Sequence, residues 1–80
     1  MAKQSLEEFL IAWTSLHLNK SMPVDPSNTL ATYGIDSIKA VLLAEDTQEI
    51  FGFEWPPYLF FEDLTISQLA EEGTKLMEEM

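Results

Sequence analysis

Ser37 is the side chain in this sequence best placed for chemistry. It sits in the run Tyr33-Gly34-Ile35-Asp36-Ser37-Ile38-Lys39-Ala40-Val41. Gly34 offers a backbone hinge, and Asp36 is a good N-cap for a helix with Ser37 in its first turn. A serine at a helix start ordinarily bonds to nearby backbone. With Asp36 already serving as the cap, Ser37 is free to project outward. The first turn of a helix also favours anions, through its free N–H groups and its dipole. A phosphodiester on Ser37 would therefore place its negative charge where the backbone N–H groups point.

No other constellation matches it. Gly34-Ile35-Asp36-Ser37 is not a nucleophile elbow, because the spacing is wrong and no second glycine follows. His17 is the only histidine, and near the end of the first helix it suits a surface or dipole-capping role. Asp25, Ser27 and Asn28 mimic fragments of a calcium loop without completing one. The carboxylate pairs Glu7/Glu8, Glu45/Asp46, Glu62/Asp63, Glu71/Glu72 and Glu78/Glu79 read as a solvated face, since catalytic pairing needs a cleft and a shifted pKa. No catalytic group and no metal ligand set is expected.

The elements that must position Ser37 follow from periodicity and punctuation. Residues 1–4 read as a frayed start. Ser5 and Glu8 form a capping-box pattern ahead of Leu6, Phe9, Leu10, Trp13 and Leu16, which predicts a first helix over 5–18. Asn19 to Ile35 is a long connection broken by prolines and Asx residues, with Leu30 and Tyr33 as its core anchors. A second helix is predicted from Asp36 to Phe51, closed by Gly52. Leu43, Thr47, Ile50 and Phe51 make its core stripe, whereas Ile38, Leu42, Glu45 and Glu49 make a mixed stripe that suits docking. Phe53 to Pro57 should be extended, and Tyr58 to Glu62 a single helical turn. Thr65 and Gln68 form a second capping box, opening a last helix with Ile66, Leu69, Ala70, Gly73, Leu76 and Met77 on its apolar face. Gly73 either permits a close helix contact or marks a weak spot. The expectation is all-α: a small bundle with three main helices, one short helix and a long first loop.

Composition narrows the partners. The 80 residues are 46% apolar, enough for one core and one domain spanning 1–80. Fourteen acids against four bases give a net charge of -10. Such a chain is repelled by nucleic acid and by anionic lipid. No apolar run suits a membrane span and no signal-peptide pattern opens the chain. The absence of cysteine removes disulfide and thiolate chemistry. A cytoplasmic, monomeric domain with basic partners is the expectation, and Met1 with compact ends fits a discrete protein, a domain of a larger one being the open alternative.

Gly34-Ile35-Asp36-Ser37-Ile38 resembles the G-x-D-S-[LI] attachment motif of acyl carrier proteins. The resemblance covers almost the whole chain. Val24 to Leu30, the stretch ending Phe51-Gly52-Phe53, and Pro57 to Ile66 are all similar to polyketide-synthase carrier domains, with Leu64 in place of the usual proline. It implies an acyl-carrier-like helical bundle in which Ser37 accepts 4′-phosphopantetheine from coenzyme A. A phosphopantetheinyl transferase would perform that step with magnesium in its own site. The carrier would then hold acyl intermediates as thioesters and catalyse nothing. Asp36 would cap the helix and help the transferase dock, and aspartate before the serine points to an acyl rather than a peptidyl carrier.

The same resemblance makes Ile38, Leu42, Glu45 and Glu49 a docking face. Ketosynthase, acyltransferase and transferase would meet it through basic patches, in polyketide or fatty acid synthesis. Three positions depart from the family pattern. Leu42 replaces a frequent glutamate, which makes docking more apolar. Thr47 replaces a core leucine, which implies a looser or locally polar core. Leu43 stands where carriers that recruit β-branching enzymes often have tryptophan. The alternative reading is an acidic helical adaptor that binds a basic partner without a prosthetic group.

Overall fold

A computed structural model describes residues 2–18, 22–60 and 62–79. Among the described residues, three α-helices carry the fold: α1 (Ala2–Leu16), α2 (Ser37–Phe51) and α3 (Ile66–Glu78). Two short 3₁₀ helices, Ala31–Tyr33 and Pro57–Phe60, lie in the connections. The all-α expectation therefore holds, with an extra 3₁₀ turn in the long first connection. Among the described residues, no helix is long and apolar enough to cross a membrane.

The first helix begins earlier than its capping box suggested. Ala2, Lys3 and Gln4 are good helix formers and extend α1 upstream. Ser5 consequently lies inside the helix as an exposed residue, not at its cap. At the other end α1 stops at Leu16, and the His17 Nδ1–H donates to the Trp13 carbonyl at 2.8 Å. The imidazole also stacks on the Trp13 indole with centroids 3.8 Å apart. His17 thus closes the last turn of α1, as its position implied.

α1 lies along α3. Leu6 and Leu10 from α1, Leu43 from α2, and Ile66, Leu69 and Ala70 from α3 are buried in one core. Gly73 resolves to a close contact. A Cβ at this position would stand 2.7 Å from Trp55 Cη2 and 3.1 Å from Phe53 Cζ, and against Leu6 Cδ2. Only hydrogen fits where α3 passes these rings. Leu76 and Met77 pack at the edge of the same core.

The core stripe of α2 runs along Ala40, Leu43 and Thr47, all buried. Ile50, expected in that stripe, is 63% exposed. At about 100° per residue it falls roughly 60° to one side of the stripe's centre, in the last turn. Thr47 is fully buried and donates its hydroxyl to the Leu43 carbonyl at 2.7 Å. Thr14 of α1 is fully buried too. The core is locally polar at this level, and its hydroxyls sit in closed surroundings.

The long connection is anchored as Leu30 and Tyr33 implied, both being buried. The Tyr33 hydroxyl accepts from the Asp25 N–H at 2.7 Å and from Asn28 Nδ2 at 3.1 Å. An isolated antiparallel bridge pairs Thr29 with Thr65. Ile66 N–H then donates to the Asn28 carbonyl and Ser67 N–H to the Pro26 carbonyl, each at 2.9 Å. The Thr65–Gln68 capping box forms as expected. The second short helix starts at Pro57, one residue before the expected Tyr58, because proline is well suited to a first helical position. Asn19, at the start of the long connection, and Phe61, in the expected short turn, lie outside the described residues.

Candidate functional site

The route to Ser37 is built by local turns. Gly34 adopts a left-handed conformation (φ 76°) that ends the Ala31–Tyr33 turn, with its N–H donating to the Ala31 carbonyl. Ile35 N–H then donates to the Leu30 carbonyl, and the Ile35 side chain is buried. This pins the chain immediately before α2. Asp36 is extended (φ -86°, ψ -173°), and its Oδ1 accepts the Lys39 N–H at 2.9 Å. Asp36 is therefore the N-cap, as its position implied.

Ser37 is the first residue of α2 and is exposed. Its hydroxyl has no hydrogen-bond partner among the described residues, and neither do the N–H groups of Ser37 and Ile38. An exposed hydroxyl beside two open first-turn N–H groups suits a phosphate ester: the oxygen is reachable, and the local field favours the resulting anion. The start of α3 contrasts with this. Its corresponding N–H groups are taken by Asn28, Pro26 and Thr65.

Three faces radiate from Ser37 along α2. Ala40, Leu43 and Thr47 point into the core. Ile38, Leu42, Glu45 and Glu49 are exposed together at i, i+4, i+7 and i+11, so the structure places the whole expected docking stripe on one surface. Ile38 is 74% exposed and Leu42 46%. Val41, 57% exposed, lies beside the stripe. Ser37, Val41, Ala44 and Gln48 line the third face, which borders a groove.

That groove was not foreseen from sequence. It has a volume of about 640 Å³ and opens next to Ser37 and Asp36. Its apolar lining includes Leu30, Ile35, Trp55, Leu59, Phe60 and Leu64. These residues come from two segments, 30–35 and 55–64, on either side of α2 in the chain, so no local periodicity links them to Ser37. The double proline Pro56-Pro57 was the available signal, because it bends the chain and presents the 55–60 segment toward α2.

α2 is fastened to the end of α1. Trp13 Nε1–H donates to Asp46 Oδ2 at 2.7 Å, and Lys39 Nζ donates to the His17 carbonyl at 3.2 Å. Asp46 and Lys39 are thus structural groups on the helix that presents Ser37. Asp25, in the connection before the site, holds its carboxyl below the usual aspartate range. The Ser27 backbone N–H and then the Ser27 hydroxyl bond to it and favour the charged form.

Comparison with known proteins agrees with this geometry. The family described as "Phosphopantetheine attachment site" matches residues 15–72, a span that includes Ser37, all of α2 and the groove segments. A non-reducing polyketide synthase, dpmpA, from Macrophomina phaseolina (strain MS6) is 36% identical over 70 residues, covering 84% of this chain and 3% of the synthase. The chain thus spans a small fraction of the length of this relative. No solved structure gives a significant match.

Proposed function

Because this chain belongs to the phosphopantetheine-attachment family of carrier proteins, we propose that Ser37 is its attachment serine. On this reading, residues 1–80 form one carrier domain that holds acyl intermediates and delivers them to polyketide, or fatty acid, biosynthetic enzymes. The observation that carries it is the exposed, unpartnered Ser37 hydroxyl at the Asp36-capped start of α2. When attached, the 4′-phosphopantetheine arm supplies the thiol that this cysteine-free chain lacks, and cargo rides on it as a thioester.

The chain's own residues do the positioning. Ser37 Oγ bonds the coenzyme A phosphorus that bears the pantetheine, the pyrophosphate P–O bond breaks so that adenosine 3′,5′-bisphosphate leaves, and the serine hydroxyl proton passes to the transferase. Asp36 fixes the first turn by holding the Lys39 N–H, so the serine is presented on a formed helix. Ile38 and Leu42 give partner enzymes an apolar contact, and Glu45 and Glu49 steer basic patches toward it. Charge complementarity of this kind raises the rate of encounter more than the affinity, which suits a carrier that must visit phosphopantetheinyl transferase, ketosynthase and acyltransferase in turn. The reading makes the protein a non-catalytic, cytoplasmic monomer, its net charge of -10 opposing self-association.

The test is incubation with coenzyme A and a promiscuous phosphopantetheinyl transferase, followed by intact-mass measurement. One arm should add to the wild type and none to Ser37→Ala. A wild-type chain that gains no mass while a control carrier is fully modified overturns the proposal.

A further inference from the structure

Trp55, one of the residues lining the groove beside Ser37, carries a buried donor without an acceptor. It is 2% exposed, yet its indole Nε1–H has no hydrogen-bond partner among the described residues. The other tryptophan shows the usual outcome, since Trp13 Nε1–H is bonded to Asp46 at 2.7 Å. A buried N–H left unpaired is costly and uncommon. Trp55 is held in this position by packing. Phe53 and Phe60 meet its ring edge-to-face at 5.0 Å and 5.9 Å, and its far edge abuts Gly73.

The groove's charge restricts what could satisfy that donor. Asp36, Glu45, Glu54, Glu62 and Asp63 all line it, and among the described residues no lysine or histidine does. A carboxylate-terminated ligand would be repelled by five like charges, whereas a neutral carbonyl oxygen would not. A purely alkyl chain would fill the apolar floor and leave the N–H unpaired. Phe60 is half-buried, lines the groove and covers one side of the Trp55 ring.

We propose that the Trp55 indole N–H is a specificity-determining donor that bonds a neutral carbonyl oxygen carried on Ser37, either an amide of the arm or a keto group of its cargo. The inference rests on the carrier reading and adds the chemical class of chain that the groove selects.

The test follows the Trp55 indole N–H signal in ¹⁵N-labelled protein by NMR. Four forms are compared with the unloaded protein: the bare arm, and the arm bearing octanoyl, 3-oxo-octanoyl or glutaryl groups through a hydrolysis-resistant amide. Each loading is first verified by intact mass. A downfield shift is expected in the 3-oxo-octanoyl form. If the bare arm already produces it, the acceptor is an arm amide; if only the 3-oxo chain does, the acceptor is the cargo's keto group. Either result supports the proposal. A signal unmoved in every loaded form overturns it. So does an octanoyl form that shifts as far as the 3-oxo form while the bare arm shifts nothing, because neither an arm amide nor the keto group would then be the acceptor. A glutaryl form that shifts furthest overturns it as well, by making a carboxylate the acceptor. A chain that takes no arm overturns the carrier reading and this inference with it, whereas a loaded chain with an unmoved signal overturns the inference alone.

Discussion

Replacing Gly73 by alanine sets two effects of opposite sign against each other. Alanine is favoured over glycine in a helix interior by about 1 kcal/mol. If Gly73 were only a weak spot in α3, Gly73→Ala would stabilise the fold by that amount. The new Cβ, however, would lie 2.7 Å from Trp55 Cη2 and 3.1 Å from Phe53 Cζ, with Leu6 Cδ2 also in its way. Carbon contacts relax only at about 3.5–4.0 Å. None of the three neighbours can swing into solvent, since Leu6 is 0% exposed, Trp55 2% and Phe53 4%. Overpacking of this kind costs about 1–3 kcal/mol, and three immovable neighbours place this case near the upper end. The net expectation is a loss of about 2 kcal/mol, which for a domain of this size lowers Tm by about 8–16 °C. Urea denaturation of both proteins, followed by tryptophan fluorescence and far-UV circular dichroism, checks it. A variant as stable as the wild type, or more stable, would refute the close-contact reading of Gly73.

Further outcomes follow from the α2 start and its approaches. Asp36→Ala should cost about 0.5–2 kcal/mol through loss of the cap, while Asp36→Asn should keep most of it; equal losses in urea denaturation would show that the cap is not what stabilises the turn. Asp25 has a carboxyl pKa below its ordinary 3.8, so its charge contributes stability above that value and loses it as pH falls through the lower, folded-state pKa. The wild-type advantage over Asp25→Asn should therefore be constant near neutrality and vanish in strong acid. An advantage that grows on acidification contradicts the sign. Glu45→Lys combined with Glu49→Lys should slow association with a basic partner about tenfold at low salt and flatten its salt dependence, with folding unchanged. Stopped-flow rates that ignore the substitutions would remove these residues from the docking face.

Legibility in the sequence tracked how local the determining interaction was. The α2 bounds were readable because Asp36 and Gly52 each act within one turn, through an N-cap bond and a left-handed C-cap. The Thr65–Gln68 capping box was readable for the same reason. Ser5 and Glu8 carried an equally good pattern, yet Ala2–Gln4 continue the helix past it, and a cap motif cannot act inside a helix. Ile50 lies only at the margin of the α2 core stripe and is 63% exposed, whereas the next residue, Phe51, turns back onto the core. Beyond the bend that Pro56-Pro57 marks, the groove and the Trp55 donor were not readable. They depend on segments around residues 30, 41 and 60 meeting in space.

The two helix starts differ in how open they leave their first-turn serines. Ser37 follows the Asp36 cap, and Ser67 lies two residues after the Thr65 cap, so both occupy a first turn. Cap chemistry alone does not separate them. The difference comes from the long first connection, whose carbonyls at Pro26 and Asn28 take the Ser67 and Ile66 N–H groups and whose Thr29 pairs with Thr65. That connection closes the α3 terminus, then runs through Leu30 and Tyr33 into the core and releases the chain at Gly34. Its length is therefore put to use twice. It shields one helix start and leaves the other, with its open N–H groups and exposed hydroxyl, facing solvent beside the groove.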